Sequence, residues 1–271
     1  MKFKYLMISF ITIIVFVIMI TAFLPRLLAG PEFAVSFRYI TLPLMLIMGF
    51  LLVFMTIFFL LNYRLFSLLE REDWPALSYY LEKIVYVKGK YNARRVRLLA
   101  SSYLVITDYP SVLKLENKVI TAKPSLIKKS ALVFGAARVL SGDTKGAADF
   151  FYTYMDEVRK KERQWMHWFF GFCRLLSGEF DVAEKEFTAM AKFSNDALIT
   201  GLCSYFLQSS VAKYSQDPDD CKYSAANGRH RVVSVLKTVD MWNREVNRME
   251  NEIHIAIIRK YINEARDWIY Q

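Results

Sequence analysis

Hydrophobic residues crowd the first quarter of the chain and then settle into a helical rhythm. Tyr5 to Leu24 is a run of 20 residues without a charge, and Ser9, Thr12 and Thr21 are its only clearly polar members. At a rise of about 1.5 Å per residue, such a run crosses a hydrocarbon core of about 30 Å. A second charge-free run extends from Tyr39 to Tyr63, bracketed by Arg38 and Arg64. Pro43 falls near its first turn, where proline is tolerated, and Gly49 lies inside it, as is common in membrane helices. The pattern predicts a basic N-terminus over 1–4, transmembrane helices over 5–24 and 39–63, and a connecting loop over 25–38. A cleaved signal peptide is the competing reading of the first run, since Lys2 and Lys4 precede it and Leu27-Leu28-Ala29 loosely resembles a cleavage site. Against cleavage, its apolar core exceeds the usual ~7–15 residues, and Arg26 stands before the cut.

Past Tyr63 the apolar positions recur in blocks separated by a turn. Asp73-Trp74-Pro75 returns in kind as Asp108-Tyr109-Pro110, then as Gly142-Asp143-Thr144 and Gly178-Glu179-Phe180. The steps are 35, 35 and 36 residues, the period of stacked helical hairpins. Glycine or aspartate suits the tight turn and the N-cap, and proline the first turn of the following helix. Around the third turn stand Phe134, Gly135 and Arg138, then Ala147 and Phe151. Around the fourth stand Phe170, Gly171 and Arg174, then Ala183 and Phe187. The second unit reads Leu99, Ala100 and Tyr103, then Val112 and Glu116, with Pro124 closing it.

On these residues the chain resembles the tetratricopeptide repeat family over roughly 58–195. Gly135, Gly142, Ala147 and Phe151 match its slots in one unit, and Gly171, Gly178, Ala183 and Phe187 in the next. Arg138 and Arg174 stand where that family prefers tyrosine, and Glu116 where it prefers an aromatic residue. The resemblance implies an all-α fold, a solenoid of stacked hairpins over 64–215, whose first helices line a groove that takes a peptide or helix from a partner. Candidate groove residues are Arg95, Tyr103, Arg138, His167 and Arg174, with the two arginines, one repeat apart, forming a basic ladder for an acidic ligand. Two spans followed by repeats also resemble the HemY-type membrane proteins. The aromatic, lysine-rich flavour resembles spirochaetal flagellar collar components of the bacterial inner membrane.

Placing the first turn at Asp73 puts its preceding helix at about 58–70, continuous with the second span. Beyond the repeats, Asn195 to Lys213 reads as one more apolar helix and Gln216 to Asp220 as a break, with a further turn at Asn227-Gly228. From Val232 to Tyr270, Val239, Trp242, Val246, Met249, Ile253, Ile257, Tyr261, Ala265 and Trp268 recur at steps of three or four. That rhythm predicts one long amphipathic helix in a C-terminal cap over 216–271, or a docking helix for a partner.

Charge and chemistry change this picture little. The 271 residues carry a formal net charge of +10. From Glu82 to Lys129, eleven basic side chains face only Glu82, Asp108 and Glu116. The cluster nearest the span, Lys83, Lys88, Lys90, Arg94, Arg95 and Arg97, suits anionic lipid headgroups or an acidic partner. Basic residues flank both spans on their outer ends, so the positive-inside rule places both termini in the cytoplasm, with a periplasmic repeat domain as the alternative. The three cysteines, Cys173, Cys203 and Cys221, form no metal or disulfide pattern. His167, His230 and His254 are isolated, and neither a phosphate-binding glycine loop nor a nucleophile elbow is present. No ionisable group lies inside either span, as a transporter would want. The expectation is a membrane-anchored scaffold or assembly factor that binds other proteins. It needs no cofactor or metal, has no catalytic residue and engages no nucleic acid. A structural subunit of a membrane complex is the alternative, and a subunit of a membrane enzyme or transporter the more distant one.

Overall fold

The structure is a computed structural model that describes residues 2–250 and 252–271; the side chains of residues 2–4, Leu6 and residues 24–38 are outside the described set. The basic pair Lys2 and Lys4, and the charges Arg26, Glu32 and Arg38 of the expected loop, therefore lie beyond it. The described residues form helices and turns, with no strand among them. The chain divides into two compact units, one ending at Tyr80 and the other comprising Leu81–Gln271.

The first unit is dominated by one helix, α1 (Lys2–Glu70). Within its segment Tyr39–Glu70, an 18-residue stretch has a mean hydropathy of 2.9 and is almost wholly uncovered by the rest of the chain. Apolar side chains point out all round it, Phe50 and Leu61 among the most exposed. A helix apolar on every side needs an apolar solvent, and 32 residues exceed the length that crosses a bilayer. Its few polar side chains are turned inward on the backbone: Thr56 donates to the Leu52 carbonyl at 2.8 Å and Asn62 to that of Phe58 at 2.8 Å. Thr12 and Thr21 do the same in the shorter apolar stretch Met7–Phe23. Among the described residues, Tyr39–Glu70 is the one stretch long and apolar enough to cross a membrane.

Two expectations meet different outcomes here. The apolar segment does run without interruption into the helix before the first turn, ending at Glu70. Residues 25–38, however, are helical and not a loop, so α1 is continuous through them. Leucine, alanine, arginine and glutamate outnumber the breakers in that stretch, and local propensity favours helix.

The remaining elements are α2 (Trp74–Glu82), which runs on as a π-helical turn over Lys83–Val87, α3 (Ala93–Val105), α4 (Tyr109–Ala122), α5 (Ala131–Leu140), α6 (Thr144–Tyr154), α7 (Lys160–Leu176), α8 (Phe180–Phe193), α9 (Ala197–Ser209), α10 (Pro218–Val235), α11 (Val239–Arg248), α12 (Ile253–Ile257) and α13 (Arg259–Tyr270). The recurring sequence turn is one recurring backbone geometry. Glu72, Thr107, Gly142 and Gly178 are all left-handed, with φ of 53°, 60°, 84° and 78°. After each, the next residue donates its N–H five residues back: Asp73 to Leu68, Asp108 to Tyr103, Asp143 to Arg138, Glu179 to Arg174. Each left-handed residue donates to the carbonyl three before it, completing a Schellman cap. The same aspartates then cap the following helix, Asp143 accepting from the Gly146 N–H at 2.9 Å and Asp108 from Ser111 at 3.2 Å. One residue thus ends one helix and starts the next, which is why the spacing is so regular.

In the second unit, α3 and α4, α5 and α6, α7 and α8, and α9 and α10 pair as hairpins, and each pair packs on the next. The small–aromatic slots meet where the sequence predicts. A Cβ on Gly135 would stand 2.3 Å from the Phe151 ring, and one on Gly171 would stand 2.9 Å from Phe187. Each of these rings then stacks on the next hairpin's first helix, Phe151 on Phe169 at 5.3 Å and Phe187 on Phe206 at 5.7 Å. Such offset aromatic pairs add about 0.5–1.5 kcal/mol each to the area they bury.

The C-terminal end departs from expectation. No single helix runs from Val232 to Tyr270; the segment breaks into the end of α10, then α11, α12 and α13. Thr238 accepts from the Met241 N–H and starts a new helix at Val239. The expected turn at Asn227-Gly228 lies inside α10. Gly228 is a packing glycine: a Cβ there would stand 2.0 Å from the Ser204 hydroxyl of α9.

Candidate interaction surface

Tyr103, Arg138 and Arg174 occupy one repeat position, and each reaches a carboxylate on the preceding hairpin's second helix or its extension. The Tyr103 hydroxyl donates to Glu82 Oε1 at 2.7 Å. Arg138 forks onto Glu116, with Nη2 3.0 Å from Oε1 and Nη1 on Oε2. Arg174 reaches Asp149 at 3.1 Å and holds Glu179 of its own turn at 2.9 Å. Both guanidinium groups also lie over phenylalanine rings, Arg138 over Phe150 at 4.6 Å and Arg174 over Phe170 at 5.1 Å. The expected basic ladder is therefore internal stapling: its charge is spent on carboxylates of the same chain. Glu116, only 3% exposed, has replaced the aromatic residue of this slot, and Arg138 is its counter-charge. Tyr103 is buried and accepts this acidic neighbour as a neutral phenol. Desolvation first, then the hydrogen bond to Glu82, push its pKa far upward.

The other candidates are likewise engaged. His167 Nδ1 lies 3.2 Å from Glu186 Oε2, joining α7 to α8 within one hairpin. Arg95 sits at the start of α3, where its backbone N–H is capped by Asn92 at 2.8 Å and its side chain leans toward the Lys90 carbonyl at 3.5 Å. Arg97 holds Glu162 at 3.0 Å and also donates to the Lys129 carbonyl. Glu157 meets Lys128 at 2.8 Å. Glu157 and Glu162 are thus tie points between hairpins.

What sequence reasoning missed is the destination of the C-terminal helices. They fold back over the first-helix face, where a partner was expected. His254 lies 5.0 Å from the Trp165 ring and 6.4 Å from that of Phe169, both on α7. Tyr261 packs on Phe172 and Phe206, and its neighbour Glu264 accepts from the Tyr205 hydroxyl at 3.1 Å. Ile255, Ile258, Ile262, Ala265 and Ile269 are all buried there. The available signal was the apolar step Ile255, Ile258, Ile262, Ala265, Ile269, which is offset from the stripe chosen in sequence. Burial, reinforced by the nearby Arg97 charge, lowers His254 to about 4, so it is a neutral core residue at physiological pH. Cys173, pushed up to about 12 by burial, and Cys203, also raised by burial, are inert core thiols. Cys221 is buried as well. Among the described residues, no group of three or more His, Cys, Asp or Glu could hold a metal.

The basic segment divides into spent and unspent charge. Its acids are all sequestered: Glu82 by Tyr103, Glu116 by Arg138, and Asp108 as a helix cap. Of its cations, Arg97 is paired, and Lys118 lies over the Tyr86 ring at 4.1 Å. Lys88, Lys90, Arg94 and Lys114 are exposed, and no ion pair among the described residues involves them.

A protein of Treponema pallidum (strain Nichols), described as uncharacterized, is 26% identical over 234 residues, covering 82% of this chain and 74% of the relative. No solved structure matches the chain. A family model described as "Uncharacterised Treponema protein" matches residues 111–271, from the second helix of the α3/α4 hairpin to the last residue. That match takes in most of the hairpins and the C-terminal helices that cover them, and the chain belongs to this family.

Proposed function

We propose that this protein is a membrane-anchored scaffold, in which the Tyr39–Tyr63 helix holds a tetratricopeptide-like solenoid that binds other proteins. The observation that carries this reading is the fourfold Schellman turn at steps of 35, 35 and 36 residues, with hairpins packed in sequence. Stacked units of this kind bury their own apolar faces and leave extended surfaces for partners.

The partner surface shifts from the one the sequence suggested. With the first-helix face covered by α12 and α13, contact falls to the second helices, where Tyr152, Phe193 and Tyr223 are 62%, 68% and 67% exposed. Aromatic side chains standing in water beside Lys192 and Arg231 are the composition of a partner-binding surface. Photo-crosslinking groups at positions 193 and 223, used in native membranes with mass spectrometry, test this. A discrete cross-linked protein, lost when Phe193→Asp and Tyr223→Asp are combined at another labelled position on α8 or α10, is expected. Recovery of the same cross-link from the double variant would refute it.

With α1 continuous through residues 25–38, the reading rests on the single span Tyr39–Tyr63 as the anchor. Cys221 is buried and reports no side, so Tyr223→Cys labelling from each face of the membrane decides the orientation. A structural subunit of a membrane complex, such as a bacterial flagellar collar, is the alternative form of the same scaffold.

A further inference from the structure

The loop that follows the π-helical turn combines two features that rarely share a surface. Val87 is 81% exposed, and its neighbours Lys88 and Lys90 flank Gly89, whose φ of 59° tightens the loop. Arg94 opens α3 just beyond, and Lys114 and Lys118 of α4 line one shallow depression with Tyr91. No acidic side chain lines that depression. The acids of this part of the chain are consumed internally, so the exposed charge is of one sign. A single-sign cationic face is costly to maintain by self-repulsion and is useful against an anionic partner. An uncovered valine at its tip gives nothing to a soluble acidic ligand; it gains free energy only in an apolar phase.

We propose that Val87, Lys88, Lys90, Arg94 and Lys114 form a docking face for the anionic phospholipid surface of the membrane that holds the protein, with Val87 entering the headgroup–acyl boundary and the cations meeting phosphates. The proposal rests on the reading of Tyr39–Tyr63 as a membrane span. Only 16 residues separate Glu70, the end of α1, from Val87. A tether that short gives the loop a high effective concentration at the bilayer, so contacts that are individually weak suffice. A basic residue close to an anionic leaflet is worth about five-fold in partition, and neutralising three of them about a hundred-fold.

The test uses the full chain carrying Val87→Cys, labelled with the environment-sensitive fluorophore NBD; the native cysteines are buried and do not compete. It is reconstituted into vesicles of phosphatidylcholine alone or of an equal mixture with phosphatidylglycerol. Co-flotation with both kinds of vesicle reports the anchoring helix. A blue shift and brightening of NBD in the mixed vesicles alone, reversed by high salt and by Lys88→Gln with Lys90→Gln and Arg94→Gln, is the expected result. All three substituted side chains are exposed and unpaired, so the fold is not at stake. Flotation with no shift, or a shift that is equal in both lipids or survives the triple substitution, overturns the lipid face while the anchor stands. Failure to float with phosphatidylcholine removes the anchor, and this proposal with it.

Discussion

The Glu116–Arg138 pair gives the sharpest test of how the hairpins are joined. Glu116→Gln keeps the shape and removes the charge, leaving the guanidinium facing a neutral amide. Breaking a buried pair costs about 3–5 kcal/mol when the remaining charge has no water. Arg138 is 20% exposed and keeps the Phe150 ring beneath it, so partial hydration lowers the expectation to about 2–3 kcal/mol. Arg138→Met is the harsher change, because the orphaned carboxylate is only 3% exposed; about 3 kcal/mol is expected. The double variant loses both charges together and should cost about 2 kcal/mol less than the sum of the singles. In detergent, urea unfolding followed by helical circular dichroism reads this directly. With a slope of about 2 kcal/mol per molar urea, Glu116→Gln lowers the midpoint by roughly 1 M. A coupling within about 0.5 kcal/mol of zero would mean that the two side chains act independently, and the stapling account would fall.

Three further outcomes follow from the same structure. Gly135→Ala drives a Cβ into the Phe151 ring and should cost about 1–3 kcal/mol, more than Gly171→Ala, whereas Gly49→Ala meets open space and should be silent; the reverse order in urea midpoints would contradict the packing. His254 titrates at about 4 in the folded chain against an ordinary 6.5, so the unfolded state binds more protons between these values. Stability is therefore full above pH 6.5 and falls by about 3 kcal/mol as pH drops to 4, and His254→Phe should flatten that slope in a pH series of unfolding curves. Truncation after Met249 uncovers Trp165, Phe169 and Phe172 and should lower the midpoint and recruit the dye ANS; an unchanged midpoint with no dye binding would make α12 and α13 a detachable lid in place of part of the core.

Much of the architecture was legible because it is written in short-range terms. A charge-free run of bilayer length, a left-handed glycine followed by a capping aspartate, and a small residue placed for an aromatic ring sixteen residues on (Gly135 and Phe151, Gly171 and Phe187) all act within one helix or one hairpin. Gly142 and Gly178 announce their turns by residue type. Glu72 and Thr107 adopt the same φ without glycine, and only their spacing from the other two gave them away. The helical course of residues 25–38 went the other way: the stretch between the two charge-free runs reads as a connecting loop, and the helix formers in it prevailed.

What the tertiary structure alone decided was the use of charge and the covering of faces. Arg138 and Arg174 recur like a ligand ladder in sequence, yet their partners lie 22 and 25 residues away on the preceding hairpins, at positions no local rule specifies. The stripe from Val232 to Tyr270 fixes that the segment has an apolar side, not that it breaks at Thr238 or that His254 lands between Trp165 and Phe169. Hydrogen-bond periodicity and turn chemistry are properties of neighbouring residues and survive in a linear string. Which carboxylate neutralises which arginine, and which surface remains for a partner or a lipid, depend on lateral packing between helices and exist only once the chain has folded.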